Sequence, residues 1–406
     1  NLAKSVYLRY LQNFSDNEIV IPDNLYPGEY IIPIAKKISD EHGEKFLDKD
    51  ESDWLDFFKK ESISSIMDII KSDLKSLEIS HDVFISEKAL LEEGHVNKAY
   101  KYLEDKKLLY KGNTNPPKGS KNDEWSEKKH ILFKSKSFGD DEDRVVKKHD
   151  GQWTYFMPDI AYHLNKYERG FIRMINIFGA DHSGYIARMK AAVKAVTNEK
   201  ANLEIKTCQL VRLSRGGKPV KMSKRAGSFI TLKEIVNEVG KDAVRFMMVS
   251  RKNDAQLDFD FEVFKNENND NPIFYIQYAN ARISSLIRNS KEKLGRDIKD
   301  KDLINADLTF LQNENEKKII FQIANFPKVI EQSVTFMEPH RLSYYLRDLA
   351  SSFHQYWNLK IDNKRIHILD KSEIDLSLAR VALLFAVSIT IQTGLGLLGI
   401  EAIEEL

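Results

Sequence analysis

Lysine and arginine are concentrated between residues 205 and 233, a window in which the sequence contains no aspartate or glutamate. Within it, Lys221 and Lys224 are three residues apart and follow the glycine pair Gly216 and Gly217. Mobile lysines near glycines can close on a triphosphate and neutralise the charge that moves to a leaving pyrophosphate. The pattern therefore predicts a phosphate-binding loop, and the alternative is a solvated basic loop without a ligand.

A carboxylate and an aromatic ring four residues apart form a second candidate site. Asp159 follows Tyr155 in the segment 155–163. A buried carboxylate can accept both hydrogen bonds of a guanidinium fork while an aromatic ring packs on the guanidinium plane. The pair is therefore suited to arginine. The structural alternatives are that Asp159 caps a helix and that Tyr155 packs in a core.

The elements that must position these residues follow from hydrophobic spacing. Apolar residues at three- and four-residue intervals predict helices over 5–14, 30–45, 54–77, 96–109 and 186–196. Short apolar runs predict strands over 81–86, 131–133, 172–177 and 205–213. Because strands alternate with helices from residue 78 onwards, the sequence predicts an α/β domain with a parallel sheet.

The character of the sequence changes after the alternating segment 257–261. Helical spacing predicts long helices over 273–287, 316–336, 339–359 and 376–398, with a kink at Pro327. The sequence thus predicts a helical segment over 1–77, a nucleotide-binding domain over 78–264 and an all-α bundle over 265–406.

Length and composition indicate a globular protein of more than one domain. A chain of 406 residues suggests two to three domains, and 42% hydrophobic with 30% charged residues is typical of a globular protein. The net charge of +1 means that any nucleic-acid surface must come from local segregation of charge. The single cysteine, Cys208, excludes an internal disulfide and favours a cytoplasmic location. Since no metal-ligand spacing occurs, we expect no structural metal.

The sequence predicts neither a membrane span nor a signal peptide. The longest strongly apolar stretch, 381–387, is interrupted by polar residues well before the roughly 18 residues that a membrane span needs. No transmembrane helix is therefore predicted. The N-terminus lacks an initiator methionine and the layout of a signal peptide, so we expect the sequence to start inside a longer chain.

Several segments together resemble a known family. Lys221-Met222-Ser223-Lys224 is similar to the KMSK signature of class I aminoacyl-tRNA synthetases. The segments 155–163, 179–185, 239–246 and 271–282, in this order, resemble bacterial arginyl-tRNA synthetases. This resemblance covers nearly the whole chain. It implies a Rossmann-like parallel sheet with a helical insertion, followed by an α-helical anticodon-binding domain.

The resemblance also implies an activity and roles for individual residues. The family joins L-arginine to tRNA(Arg) through an arginyl-adenylate, with ATP as the second substrate and Mg²⁺ entering bound to ATP. Lys221 and Lys224 would be catalytic. The implied ATP-binding residues are Gly179, Asp181, Lys221, Met222, Ser223 and Lys224, and the implied arginine-binding residues are Tyr155, Asp159 and His182. His182 stands where many relatives have a polar amide, and hydrogen bonding to a substrate-contacting neighbour is its alternative role.

The helical C-terminal region would read unstacked RNA bases. The implied tRNA-binding residues are Tyr356, Trp357 and Arg347, among further aromatic and basic residues that include Tyr344, Tyr345, Phe353 and Arg341. For each aromatic residue, packing in the helical core is the alternative. We expect a cytoplasmic monomer that does not bind membranes.

One family signature is missing. Class I synthetases carry upstream a His-x-Gly-His or His-x-Gly-Asn signature that binds the ATP triphosphate, and no histidine of this sequence fits it. We therefore expect these 406 residues alone to bind tRNA but not to charge it. A non-catalytic tRNA-binding relative and a synthetase for another amino acid are the rivals. The retained lysines argue against the first, and Asp159 argues against an apolar substrate.

Overall fold

A computed structural model describes the chain except for residues 18, 114–128, 221–229, 267, 269, 296, 362, 363 and 406, and it gives only the backbone at 361, 364 and 365. The chain divides into two compact units. The larger unit consists of Asn1–Ser80, Val211–Lys252 and Leu257–Leu406, and the smaller unit of His81–Leu210 and Asn253–Gln256. The domain boundaries at residues 77 and 264 stay a prediction.

The N-terminal part of the larger unit is helical, as the apolar spacing predicts. Its helices are α1 (Leu2–Gln12), α2 (Ile32–His42) and α3 (Glu51–Ser76). An aromatic core joins them, because the rings of Tyr7 and Trp54 stack with their centroids 3.7 Å apart. The Tyr7 hydroxyl donates a hydrogen bond of 2.9 Å to the carbonyl of Phe46. The buried aromatic hydroxyl is thus satisfied inside the core.

The first half of the smaller unit packs helices against an antiparallel sheet. The helices are α4 (Glu87–Glu92), α5 (His95–Asp105) and α6 (Phe156–Glu168), and the strands, paired in chain order, are β1 (Leu109–Gly112), β2 (His130–Phe133) and β3 (Arg144–Lys147). The strand predicted over 81–86 is wrong. These residues form no ladder, and Val83 and Phe84 are 51% and 43% exposed. A short apolar run becomes a strand only where a partner strand accepts its hydrogen bonds.

A parallel strand pair completes the smaller unit. Strand β4 (Arg173–Gly179) leads through a 3₁₀ turn, Ala180–Tyr185, into helix α7 (Ile186–Val196) and then into strand β5 (Asn202–Cys208). The two strands are in register from Arg173 opposite Asn202 to Gly179 opposite Cys208. The predicted strand–helix–strand order with parallel pairing is confirmed. Side chains at the carboxyl end of β4 therefore lie at the edge where ligands of parallel sheets bind.

The middle of the larger unit contains a three-stranded sheet. Its elements are β6 (Val211–Arg215), β7 (Lys218–Pro219), α8 (Leu232–Val239), α9 (Lys241–Met248), β8 (Leu257–Asp260) and α10 (Phe261–Lys265). Strand β6 pairs antiparallel with β7 and parallel with β8. The single strand predicted over 205–213 is wrong in extent, because β5 and β6 are separate strands of different sheets.

The C-terminal part of the larger unit is the predicted helical bundle. Its elements are α11 (Pro272–Arg288), α12 (Ser290–Leu294), α13 (Asp300–Ile304), α14 (Glu314–Phe336), α15 (His340–Trp357), β9 (Lys360–Ile361), β10 (Lys364–Arg365) and α16 (Ile374–Leu397). Pro327 lies inside α14, which continues through it. The combination of a parallel α/β region with a helical C-terminal region confirms the predicted fold class.

Helix α16 is the most apolar helix of the bundle. Within the described residues it is the one helix whose length and mean hydropathy, 1.9 over its most apolar window, would allow it to cross a membrane. Half of that window is buried inside the protein. Ser388 in this helix donates a hydrogen bond of 2.7 Å to the side chain of Asn280 in α11. This burial is typical of the core helix of a bundle.

Arg245 connects distant segments of the larger unit. Its Nε and Nη2 atoms donate to the carbonyl of Leu398 at 2.9 and 2.8 Å, and its Nη1 atom donates to the carbonyl of Leu77. Both acceptors cap the C-terminal end of a helix, α16 and α3, where carbonyls lack intrahelical partners. One guanidinium therefore satisfies two helix ends and joins them to α9.

Substitution of Gly399 by alanine is expected to lower the free energy of unfolding by about 2 kcal/mol or more. Gly399 has φ = +68°, which disfavours a side chain, and an added Cβ would overlap the Arg245 guanidinium. Urea denaturation followed by tryptophan fluorescence measures the change. Gly396→Ala is the matched control, because a Cβ there meets nothing within 4 Å. Equal stability of the two variants would contradict the role of Gly399.

Candidate active site

A cavity of about 630 Å³ opens between α6 and β4 in the smaller unit. Residues Met157, Ile160 and Leu164 bury one face of α6 in the core, so the opposite face is free to line the cavity. The lining consists of Tyr155, Asp159, Tyr162, His163 and Lys166 from α6 and its cap, Ile175, Asn176, Ile177 and Phe178 from β4, and His182, Tyr185 and Met189 beyond it. The cavity thus brings the predicted arginine-binding residues together.

Asp159 supplies the negative charge of this cavity. Its carboxylate is half-buried in the first turn of α6, and the Tyr185 hydroxyl donates a hydrogen bond of 2.6 Å to Oδ2. Burial, followed by this bond, raises the pKa of Tyr185, so the hydroxyl keeps its proton and remains a donor. A carboxylate has about four acceptor positions, so Tyr185 can orient it and leave room for a cation.

A hydrogen-bonded network of His163, Asn176 and Lys166 lies next to Asp159, and the sequence analysis did not predict it. His163 Nδ1 lies 2.7 Å from the carbonyl of Asp159, and its Nε2 lies 2.8 Å from the amide nitrogen of Asn176. Lys166 Nζ donates to Asn176 Oδ1 at 3.2 Å. The network assigns the proton of His163 to Nδ1. The only sequence signal was the position of His163 and Lys166, four and seven residues after Asp159.

Burial lowers the pKa of both titratable groups in this network, His163 and Lys166. Burial, with a smaller contribution from Lys166, lowers the pKa of His163 and keeps the imidazole neutral at pH 7. Burial, with a smaller contribution from Arg169, also lowers the pKa of Lys166. The Lys166 ammonium lies 4.2 Å from the centre of the Tyr162 ring, which stabilises it. At the back of the cavity, a neutral imidazole therefore contacts the Asp159 backbone, and the one cation of this network, Lys166, is held by Asn176 and the Tyr162 ring.

Tyr155 lies at the mouth of the cavity. It is the N-cap residue of α6, and it is 87% exposed. Core packing as the alternative role of Tyr155 is therefore wrong. The capping alternative for Asp159 is also wrong, because Asp159 lies inside the helix, four residues after the cap. The exposed ring is free to pack against a ligand, whose position the ring would then help to define.

Gly179, Asp181 and His182 lie where β4 ends. The side chains of Asp181 and His182 are 81% and 67% exposed, and His182 Nε2 lies 3.7 Å from Asp181 Oδ2. A Cβ at Gly179 would overlap Asp181 Oδ1, so a larger residue there would displace this exposed carboxylate from the strand end. Of these residues, His182 lines the cavity.

The predicted phosphate-binding residues Lys221, Met222, Ser223 and Lys224 lie outside the described residues. The structure describes the chain on both sides of them. Strands β6 and β7 form a hairpin before the segment, and Thr231 caps α8 after it, with a hydrogen bond of 3.2 Å from the Glu234 amide to the Thr231 hydroxyl.

The predicted tRNA-binding residues lie on α15 in the larger unit. Arg347 is exposed, and Trp357 is half-buried, with the Arg282 guanidinium 5.7 Å from its ring centre. Tyr356 is only 1% exposed, and its hydroxyl donates a hydrogen bond of 2.7 Å to Glu316. The prediction that Tyr356 stacks on a base is therefore wrong, because its ring is enclosed by the bundle core. Tyr344, in contrast, is 50% exposed.

Comparison with known proteins gives two family matches. Residues 36–289 match the model of the catalytic domain of class I tRNA synthetases of the arginine type, and residues 276–406 match the DALR anticodon-binding domain. The described cavity falls within the first match.

Individual relatives agree with these matches. The chain is 48% identical over 405 residues to an arginine–tRNA ligase of Parvibaculum lavamentivorans, and the match covers the whole chain and 70% of that relative. A similar protein of Azorhizobium caulinodans is 45% identical with the same coverage. The Thermus thermophilus arginyl-tRNA synthetase shares the fold, with a TM-score of 0.70 at 19% identity over 99% of this chain and 74% of that one.

A Campylobacter jejuni protein described as an arginyl-tRNA synthetase has a TM-score of 0.82 at 30% identity, over 100% of this chain and 81% of that one. The catalytic and anticodon-binding matches occur in this order along one chain. The chain therefore belongs to the arginyl-tRNA synthetases, class I aminoacyl-tRNA ligases that use ATP to attach arginine to tRNA.

Proposed function

We propose that the cavity between α6 and β4 binds the side chain of L-arginine, with Asp159 as the partner of its guanidinium. The observation that carries this proposal is the half-buried Asp159 carboxylate, oriented by Tyr185 inside a cavity of about 630 Å³. A planar guanidinium can donate two parallel hydrogen bonds to one carboxylate. Tyr155 packs on the exposed face of the guanidinium, and His182 contacts the substrate from the end of β4.

The reaction that follows has two steps. The carboxylate of arginine attacks the α-phosphate of ATP, so arginyl-adenylate forms and pyrophosphate leaves. The 2′-hydroxyl of the terminal tRNA adenosine then attacks the arginyl carbonyl, and AMP leaves. In this scheme Lys221 and Lys224 stabilise the charge that develops on the phosphates, with Met222 and Ser223 beside them. Gly179 and Asp181 contact the adenosine, and Mg²⁺ enters bound to ATP.

Competition between arginine and citrulline tests the proposed pocket. Citrulline has nearly the same shape but carries a neutral urea group, which cannot pair with the Asp159 charge. We expect citrulline to bind at least about a hundredfold more weakly, because a buried site built for a charged donor rejects its neutral analogue. Inhibition of arginine-dependent ATP–pyrophosphate exchange, in the presence of tRNA, measures the difference. An inhibition constant for citrulline close to the KM for arginine would show that the pocket does not recognise the guanidinium charge.

Removal of the Tyr185 hydroxyl is expected to raise the KM for arginine about tenfold, with little change in kcat. A hydrogen bond to a charged group contributes roughly 1.5 to 3 kcal/mol, and without it the Asp159 carboxylate can rotate away. Steady-state kinetics of Tyr185→Phe measure the effect. Tyr110→Phe is the control, since the Tyr110 hydroxyl also donates to a carboxylate, that of Asp143. A similar rise in both variants would contradict the orienting role of Tyr185.

The larger unit supplies the surface for tRNA in this proposal. Arg347, Trp357 and Tyr344 on α15 offer a cation and accessible aromatic rings to unstacked bases. We assign residues 1–77 to a helical segment of the catalytic region, 78–264 to catalysis and 265–406 to anticodon binding. We further propose that the protein works as a monomer in the cytoplasm, with tRNA(Arg) rather than a membrane as its partner.

A further inference from the structure

A group of charged residues joins the chain before segment 221–229 to the chain after it. We call Arg215, Glu238, Asp260 and Lys265 the tether cluster. Arg215 ends β6, Glu238 lies in α8, Asp260 ends β8, and Lys265 ends α10. All four belong to the larger unit. The cluster therefore lies on the elements that flank the segment carrying Lys221 and Lys224.

Asp260 holds the turn that precedes the segment. The amides of Gly216 and Gly217 donate to its Oδ1 and Oδ2 atoms at 3.0 and 2.6 Å, and the Ser214 hydroxyl donates to Oδ2 at 3.2 Å. Both glycines have positive φ angles, +53° and +76°, as a two-residue hairpin turn of this kind requires. Two consecutive amides in such a turn form an anion-binding concavity. Here the protein fills it with its own carboxylate.

The hydrogen bonds from Gly216 and Gly217 to Asp260 indicate that this glycine pair has an anchoring role. Since the Gly216 and Gly217 amides already donate to Asp260, the turn anchors the hairpin to β8. The hydrogen bond from Gly217, together with those from Glu262 and Gly216, lowers the pKa of Asp260 and keeps it charged at neutral pH. A charged carboxylate is a strong acceptor, so the turn has a fixed position relative to β8.

Glu238 links the same hairpin to the helix that follows the segment. The Arg215 guanidinium binds both carboxylate oxygens of Glu238, with Nη2 and Oε2 2.6 Å apart, and Lys265 Nζ lies 2.7 Å from Oε1. The Arg215 guanidinium also lies 4.6 Å from the ring centre of Phe261. The bidentate pair and the ring fix the direction of the Arg215 side chain. As a result, β6 and α8 cannot move apart without breaking this contact.

We propose that Asp260 and Glu238 are positioning residues for the lysines of the KMSK segment: they hold together the described elements on both sides of the segment, β6, β8 and α8, so that Lys221 and Lys224 can meet the phosphates of ATP. The inference rests on the phosphate-binding role of these lysines proposed above. Neither carboxylate contacts the substrate. Both act on catalysis through the elements that carry the lysines. Because misplacement of a catalytic group by about 1 Å can cost up to a hundredfold in rate, the effect is measurable.

The test is Asp260→Asn, in which one acceptor oxygen becomes a donor that opposes a turn amide. In the protein at its natural length, we expect kcat for ATP–pyrophosphate exchange to fall roughly tenfold or more, with the KM for arginine unchanged. Asp258→Asn is the matched control on the same strand, since its exposed carboxylate is not the acceptor of the turn amides. An equal loss in both variants, or an unchanged kcat in Asp260→Asn, would overturn the proposal.

A double variant separates positioning from a general structural role. If Asp260 acts through Lys224, then Asp260→Asn should reduce the rate much less in a Lys224→Ala background than in the natural protein. A full additional loss in that background would overturn the proposal. If Lys224→Ala alone leaves exchange unchanged, the phosphate-binding role fails, and the inference fails with it.

Glu238→Gln provides a second route should Asp260→Asn fold poorly. The Arg215 side chain is 45% exposed and that of Glu238 is 22% exposed. Partly exposed ion pairs contribute little to stability, so this variant is expected to fold. We expect it to lower kcat about threefold to tenfold while arginine binding stays normal. Wild-type kcat in Glu238→Gln would show that this carboxylate does not position the lysines.

Discussion

Asp159→Asn is expected to raise the KM for arginine by about thirtyfold or more, which corresponds to roughly 2 kcal/mol or more of lost binding free energy. The substitution preserves the shape of the side chain and removes its charge. Asparagine presents one acceptor and one donor to the guanidinium, which has only donors, so one of the two paired hydrogen bonds is lost. ATP–pyrophosphate exchange by the protein at its natural length, measured with tRNA present and varied arginine, gives both KM and kcat.

The control for this experiment is Asp105→Asn, the same chemical change at an exposed position of α5 in the same unit. It should leave arginine kinetics unchanged. Thermal denaturation of both variants separates recognition from folding. Wild-type arginine kinetics in Asp159→Asn would refute the assignment, as would a loss of stability without a change in KM.

Lys224→Ala is expected to slow arginyl-adenylate formation by about two to three orders of magnitude, equivalent to roughly 3 to 4 kcal/mol of transition-state stabilisation. The negative charge that builds up on the leaving pyrophosphate then lacks one of its cations. The affinity for arginine should barely change, since the guanidinium pocket is formed by other residues. Single-turnover measurement of adenylate formation in the protein at its natural length gives the rate directly.

Lys233→Ala removes one positive charge from the same basic window and serves as the control, because Lys233 is an exposed residue in the first turn of α8. If the whole basic window merely attracts ATP, both variants should raise the KM for ATP by similar amounts and leave the rate of the chemical step unchanged. That outcome would exclude a specific role for Lys224 in the transition state.

Of the residues that line the cavity, the sequence analysis predicted Tyr155, Asp159 and His182 and missed His163 and Lys166 on the same helix as Asp159. Tyr155 and Asp159 are four residues apart, so helical geometry alone places them on one face of α6. Tyr185 escaped detection because it is 26 residues from Asp159 in sequence. Its contact with the carboxylate depends on how β4 and the following 3₁₀ turn return the chain to α6, and spacing rules do not contain that information.

The wrong predictions share a different cause. The apolar runs over 81–86 and 205–213 satisfied the pattern of a buried strand, but strand pairing is decided by long-range partners. The first run has no partner strand, and the second divides between β5 and β6, in separate sheets. Tyr356 was misassigned for a related reason. The sequence shows which positions of a helix are aromatic, but whether each ring is buried depends on how the neighbouring helices pack.

Arg245 makes hydrogen bonds that can be completed only late in the synthesis of this chain. The smaller unit is complete once Gln256 has been synthesised. Arg245, in contrast, is 168 residues from its acceptor at Leu77 and 153 from its acceptor at Leu398. Because Leu398 follows α16, the hydrogen bonds from Arg245 to its carbonyl can form only after that last long helix has been synthesised. The ends of α3 and α16 are therefore joined through α9 only late in synthesis.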